Sequence, residues 1–238
     1  MSFLENVNFD WMDMLNFSER PFRASFVPSK VWRDLDHYVN DEVGLANYFK
    51  KWRTKIEWRK EKSKAKVYER YIAIGGEYDA ESRQCILIIY TDKFQSFKFD
   101  RENWDRFKYK LLQVHMHELI HFMQYDRRGD EWSNYILPYK KVKHARKDAE
   151  RRYLSEFDEI QAYAHCVYLD YKLNKPTIPI STLISRSMKY RDSKTLHYIL
   201  RTFNYDYRNN HAIPKLMQQI VKWDRKYKKM LRASRLPK

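Results

Sequence analysis

From Asp100 to Arg128, large apolar residues recur mostly three or four positions apart, at Trp104, Phe107, Leu111, Val114, Ile120, Phe122 and Tyr125. That is the period of a helix with one apolar face. Asp100 is a suitable N-cap, and Gly129 stands where a C-terminal stop is expected. Upstream, Cys85-Ile86-Leu87-Ile88-Ile89-Tyr90 is continuously apolar, the composition of a strand buried on both faces. A long helix following a buried strand restricts the chain to folds in which helix and sheet share a core, and predicts the α+β class.

Within the helical stretch stands His117-Glu118-Leu119-Ile120-His121, the pattern H-E-x-x-H. Residues four apart on a helix lie one turn up on nearly the same face, so both imidazoles can converge on one ion. Glu118 points about a quarter-turn away, which sets its carboxylate beside the ion, where it can take a proton from metal-bound water. The alternative is an amphipathic helix with two structural histidines and an exposed glutamate. Placement in a strongly helical segment after a buried strand favours the metal reading.

A catalytic zinc site needs a third protein ligand and an open position. The extended motif with Gly and a third His is absent, because Gln124 and Arg127 occupy those places. The best candidate from elsewhere is Glu159, with Ala162 one turn later on the same side, small enough to let its helix approach closely. Glu156 shares that face and is the runner-up; His144, in a basic connection, is weaker. As an ordinary structural feature, Glu159 would be a first-turn acid favoured by the helix dipole. Two imidazoles and one carboxylate suit Zn²⁺. An oxyanion donor is still required, and Tyr153 or Tyr163 can supply it.

Elsewhere the organisation is read more coarsely. Residues 1–30 are mixed, and residues 31–66 read as helical, with Trp32, Leu35, Tyr38, Leu45, Tyr48, Trp52 and Ile56 among the spaced apolar positions. Val67–Ile74 and Gln84–Thr91 read as a hairpin separated by Gly75-Gly76 and an acidic turn region. Residues 129–152 read as a polar, basic connection. Ser155-Glu156-Phe157-Asp158 fits a capping box, so the next helix is expected to start at Ser155 and run to about Lys172. Lys175-Pro176 to Pro179 is the clearest break, followed by two or three short helical stretches and a basic amphipathic tail from Lys222 to Lys238. The expected division is therefore an N-terminal helical flank over 1–66, a core over 67–175 and a C-terminal basic helical extension over 176–238, packed as one compact unit.

Composition narrows the functional classes. Of 238 residues, 47 are Lys or Arg and 31 Asp or Glu, a net charge of +16 that predicts attraction to polyanions. Basic clusters interleaved with aromatics can contact nucleic acid: Lys50–Lys66 with nine Lys or Arg, Lys140–Arg152 with seven, and the Lys222–Lys238 tail. Each alone reads more readily as a solvated helix face with its rings in the core; it is their summed charge that raises polyanion contact as an expectation. Only four glycines occur, which excludes phosphate-cradling loops and dinucleotide fingerprints. Two cysteines, Cys85 and Cys166, form no disulfide framework and suggest a reducing compartment. Cys166 beside His165 is not a nucleophile–base pair, since helical neighbours diverge by about 100°. His115 lies on the wrong face to join the ion and reads as structural. Neither a secretory signal nor a membrane span is visible, so a cytoplasmic location is expected.

His117-Glu-Leu-Ile-His121, followed 38 residues later by Glu159-Ile-Gln-Ala-Tyr-Ala164, resembles the zincin metallopeptidases whose third ligand is a glutamate. It looks most like the small zincin-like proteins encoded by tailed bacteriophages, over about Val67 to Asp170. The resemblance implies a small sheet, a metal helix and a glutamate helix. It also implies peptide-bond hydrolysis by a metal-activated water with Glu118 as general base, on a protein or peptide substrate extended along the edge strand. For a phage-encoded protein, the compartment would be the host cytoplasm or the virion. The alternative reading is a structural or nucleic-acid-associated protein, such as a virion component, that keeps a metal site without peptidase activity.

Overall fold

A computed structural model of the chain describes residues 28–60, 72–91, 98–128, 146–174, 178–187, 193–206 and 210–234. The described elements are mostly helical, with one small three-stranded mixed sheet, so the class is α+β. By its internal contacts the chain divides into two compact units, one reaching to Asp126 and the other starting at Arg127.

The first unit opens with helices α1 (Pro28–Asp34) and α2 (Glu42–Phe49), each followed by a short 3₁₀ turn. Strands β1 (Thr54–Lys60), β2 (Ile72–Asp79) and β3 (Gln84–Thr91) come next, and helix α3 (Arg101–Arg128) closes the unit. The apolar run forms β3, the central strand, parallel to β1 and antiparallel to β2. Cys85, Leu87, Ile88, Ile89 and Tyr90 are buried, as a strand with neighbours on both sides and cover on both faces requires.

The pairing register sorts the sheet into two faces. Thr54 stands opposite Cys85 and Ile56 opposite Leu87 on one side, while Gly76 meets Leu87 and Tyr78 meets Cys85 on the other. All of these point to one face, and α3 lies on it. Tyr78 packs on Phe122 and Tyr125 with ring centroids 5.5 and 5.6 Å apart. Thr54 Oγ1 meets His115 Nε2 at 2.8 Å. The opposite face carries a smaller cluster of Ala73, Ile88 and Tyr90.

Two local expectations are corrected here. The stretch 31–66 is not helical throughout: helix gives way at Arg53, which adopts a left-handed φ of 53°, and Thr54–Lys60 is a strand. Its residues alternate, Thr54 and Ile56 buried and Lys55 exposed, a period of two hidden under aromatics spaced for a helix. The hairpin also turns elsewhere than at Gly75-Gly76. Both glycines lie inside β2, and the reversal spans residues 80–83. There Asp79 accepts from the Ser82 hydroxyl at 2.6 Å and from the Glu81 N–H at 3.1 Å, and Arg83 supplies the positive φ of 51°. Val67–Tyr71 lies outside the described residues.

Helix α3 begins as expected, the Asn103 N–H donating to Asp100 Oδ1 at 2.9 Å. Its first turns are tied to the preceding segment by a buried cation. Lys108, with no side-chain exposure, donates to Asp36 at 2.6 Å and Asp105 at 3.0 Å and lies 4.2 Å from the centre of the Trp32 ring. Gly129 lies outside the described residues.

The second unit holds α4 (Arg146–Ser155), α5 (Phe157–Asn174), α6 (Ile180–Ser187), α7 (Lys194–Thr202) and α8 (Ala212–Ser234). The end of the expected basic connection is thus helical. Ser155 does not cap α5. Its hydroxyl donates back to the Arg151 carbonyl at 2.6 Å, making it the last residue of α4. The chain bends at Glu156, whose carbonyl accepts from the Ile160 N–H at 2.9 Å and so starts α5. Helix α5 is the buried centre of this unit, packed by α4, α6, α7 and α8. The break before Ile180 is present, and the basic tail belongs to a helix that starts ten residues earlier than Lys222, at Ala212.

Candidate metal centre

Helix α3 carries the histidine pair midway along its length, where consecutive residues from Leu119 to Phe122 are all buried. His117 and His121 are one turn apart, with their rings 4.8 Å between centroids and at 79° to each other. Their Nε2 atoms stand 3.1 Å apart. Two nitrogens bound tetrahedrally to zinc at about 2.1 Å would be about 3.4 Å apart, so the pair is close to the spacing of a shared ion.

His121 is oriented by a residue that sequence reasoning passed over. Its Nδ1 lies 2.9 Å from Oε1 of Gln124. An amide oxygen only accepts, so the His121 proton sits on Nδ1 and the Nε2 lone pair faces His117. Such outer partners fix the tautomer and aim of a metal-binding imidazole. In the sequence Gln124 figured only as the absence of a glycine; its i,i+3 spacing from His121 is the signal that could have found it.

Glu118 is 5% exposed and turns toward the sheet. A Cβ built on Gly76 of β2 would come within 2.6 Å of Glu118 Oε1 and 2.7 Å of its Cγ, so the bare glycine backbone is what gives this carboxylate its room. Nearby, burial pushes the Cys85 thiol well above its ordinary pKa, and the charge of Glu118 adds to the effect. His115 points away from the pair into an aromatic pocket of Phe49 and Trp52, with centroids 5.0 and 6.0 Å away. Its burial holds the imidazole neutral, with the pKa lowered to about 3. It is structural, as expected.

Glu159 sits in the first turn of α5 and is buried. His117, His121 and Glu159 form a buried group able to hold a metal ion, each offering one ligand atom and these atoms lying within 4.8 Å of one another. Glu156 is exposed at the bend before α5 and takes no part in that group. His144 lies outside the described residues. Ala162 is fully buried.

Tyr153 of α4 and Tyr163 of α5 meet each other edge to face, with centroids 6.5 Å apart. Tyr163 follows Glu159 by one turn. Burial, reinforced by the Glu159 carboxylate, pushes its phenol well above the ordinary value and keeps it protonated. His165 packs edge-on against Trp223 at 4.8 Å, and Cys166 is buried, as core residues would be. No helix among the described residues is long and apolar enough to cross a membrane.

No family model, curated protein or solved structure matches this chain, which leaves its chemistry to be read from its own residues.

Proposed function

We propose that this protein is a zinc-dependent peptidase of the glutamate-ligand zincin type. The observation that carries the reading is the buried His117, His121 and Glu159 group with Glu118 on the same helical turn as the two imidazoles. The donor set, two imidazole nitrogens and one carboxylate, is that of hydrolytic zinc sites and leaves a coordination position for solvent. Zinc bound there would supply Lewis acidity and bring the pKa of water down to about 7.

The chain's own residues account for the remaining parts. Gln124 holds the His121 proton on Nδ1, leaving Nε2 free to ligate. Glu118, confined between its helix and the backbone of Gly76, is placed to accept a proton from attacking water and pass it to the leaving amine. Tyr163, kept as a neutral phenol, is a hydrogen-bond donor for a developing oxyanion, and Tyr153 beside it orients that ring. The antiparallel edge strand β2, which carries Gly76, is suited to an extended peptide beside it.

The test combines metal analysis with turnover of a mixed-sequence peptide library. Glu118→Gln should retain about one equivalent of zinc and lose turnover by a factor of about 10³ or more, the scale of a general base. His117→Ala should lose both. A protein that binds zinc tightly but cleaves nothing, in wild type as in Glu118→Gln, would instead support a structural metal site.

A further inference from the structure

The excess positive charge is confined to one part of the chain. Residues 127–238 contain 26 Lys and Arg against 11 Asp and Glu, whereas residues 1–126 contain 21 against 20. Within the second part, helix α8 concentrates it further. At about 100° per residue, Lys215, Lys222, Arg225, Lys226 and Lys229 fall within an arc of about 100° on one side of the helix. All five are exposed. The opposite side is apolar and buried, through Ile213, Leu216, Ile220 and Trp223, and packs on α5.

The stripe is not a set of internal ion pairs. Asp224 is the only acidic residue of α8; it is buried and bound to Lys228 at 2.6 Å, on a different side of the helix from the stripe. Among the described residues, Lys215, Lys222, Arg225 and Lys229 meet no carboxylate. Lys226 lies 4.6 Å from the centre of the Trp223 ring and projects from the same side. At about 1.5 Å rise per residue, the row from Lys215 to Lys229 is straight and about 21 Å long.

We infer that the exposed face of α8 docks duplex DNA through its phosphate backbone, independently of base sequence. A straight, rigid row of cations matches a stiff rod carrying about one charge per 1.7 Å of axis, and binding there gains from released counterions. An acidic polypeptide would have to be ordered along the same line, at an entropic cost the duplex does not incur. Single strands draw much of their affinity from stacking on rings. The aromatic ring beside the stripe, Trp223, is buried, with its Nε1 donating to the Gln161 carbonyl at 3.2 Å. The described side chains on the face are cations and Gln218, all residue types that bind phosphate oxygens.

The full-length protein is titrated against a fluorescent duplex of about 20 base pairs, of arbitrary sequence, from 50 to 200 mM salt. With four to five phosphate contacts, log affinity should fall against log salt with a slope of about −4. The Lys215→Ala, Lys222→Ala, Arg225→Ala, Lys229→Ala quadruple variant should bind at least about 30-fold more weakly at 100 mM salt and lose about three to four units of slope. Lys215→Arg, Lys222→Arg and Lys229→Arg together should bind as wild type, and Glu118→Gln should leave binding unchanged. Equal binding by the alanine variant, affinity insensitive to salt, or tighter binding of single-stranded RNA or polyglutamate through the same residues would each overturn the assignment.

Discussion

Gly76 and Glu118 are in such close contact that a single methyl group on the strand would overlap the carboxylate, at 2.6 Å from its Oε1. Val114 Cγ1 would lie 2.7 Å from the same methyl, so an added Cβ meets two side chains of α3 at once. Gly76→Ala should therefore displace Glu118 and cost about 1–3 kcal/mol of stability, as overpacking does. Peptide turnover should drop about 100-fold while zinc content stays near that of wild type. Full turnover by Gly76→Ala would show that this contact does not set the carboxylate's position.

The Gln124 amide is expected to matter through His121 rather than through substrate. Gln124→Leu, which keeps the bulk and removes the acceptor, should weaken zinc binding about 10- to 100-fold. Gln124→Glu restores an acceptor and should bind at least as tightly as wild type. Competition with a chromogenic chelator measures both. Identical affinities for leucine and glutamine would remove Gln124 from the site.

Lys108 should be a stability residue with no part in chemistry. Its ammonium is fully enclosed, but Asp36 and Asp105 keep 31% and 17% side-chain exposure, so solvent shares in compensating them. Lys108→Met keeps the packing on Trp32 and takes from Asp36 and Asp105 their shortest ion pairs, leaving them the more distant Arg101 at 3.6 and 3.9 Å, at a cost of about 2 kcal/mol, between the values for exposed and buried pairs. Adding Asp36→Asn should recover part of that loss, since the two changes share one interaction. Urea unfolding curves test it; strict additivity would mean that the pair is not coupled.

In the second unit, Ser193 caps α7 and anchors it to α5 at once. Its hydroxyl accepts from the Leu196 N–H at 3.1 Å and donates to the buried Asp170 at 2.7 Å. Ser193→Ala removes a cap and a charge-assisted bond together and should lower stability by about 2 kcal/mol. A change below about 0.5 kcal/mol in thermal or urea unfolding would contradict this, being the size of an ordinary surface substitution.

What could be read from the chain before any coordinates was local in origin. Helix α3, its Asp100 cap, the doubly buried β3 and the convergence of His117 with His121 all follow from periodicities that neighbouring residues set among themselves. Strand β1 was missed because its aromatics repeat at helical intervals; only the ladder to Cys85–Thr91, some 31 residues away, holds Thr54–Lys60 extended. Gly75-Gly76 looked like a turn because glycine signals turns, whereas at Gly76 it is the absent Cβ that counts, under a helix that arrives some forty residues later. Ser155 had a capping sequence, yet its hydroxyl bonded backward to Arg151, a choice between two nearby acceptors that composition does not decide. Glu159 was preferred to its runner-up Glu156 although the two share a helical face; burial separates them, one enclosed in the first turn of α5 and the other exposed at the bend. Periodicity says which residues share a face, while the closeness of two faces depends on contacts between segments far apart in the chain, and there the fold alone chooses.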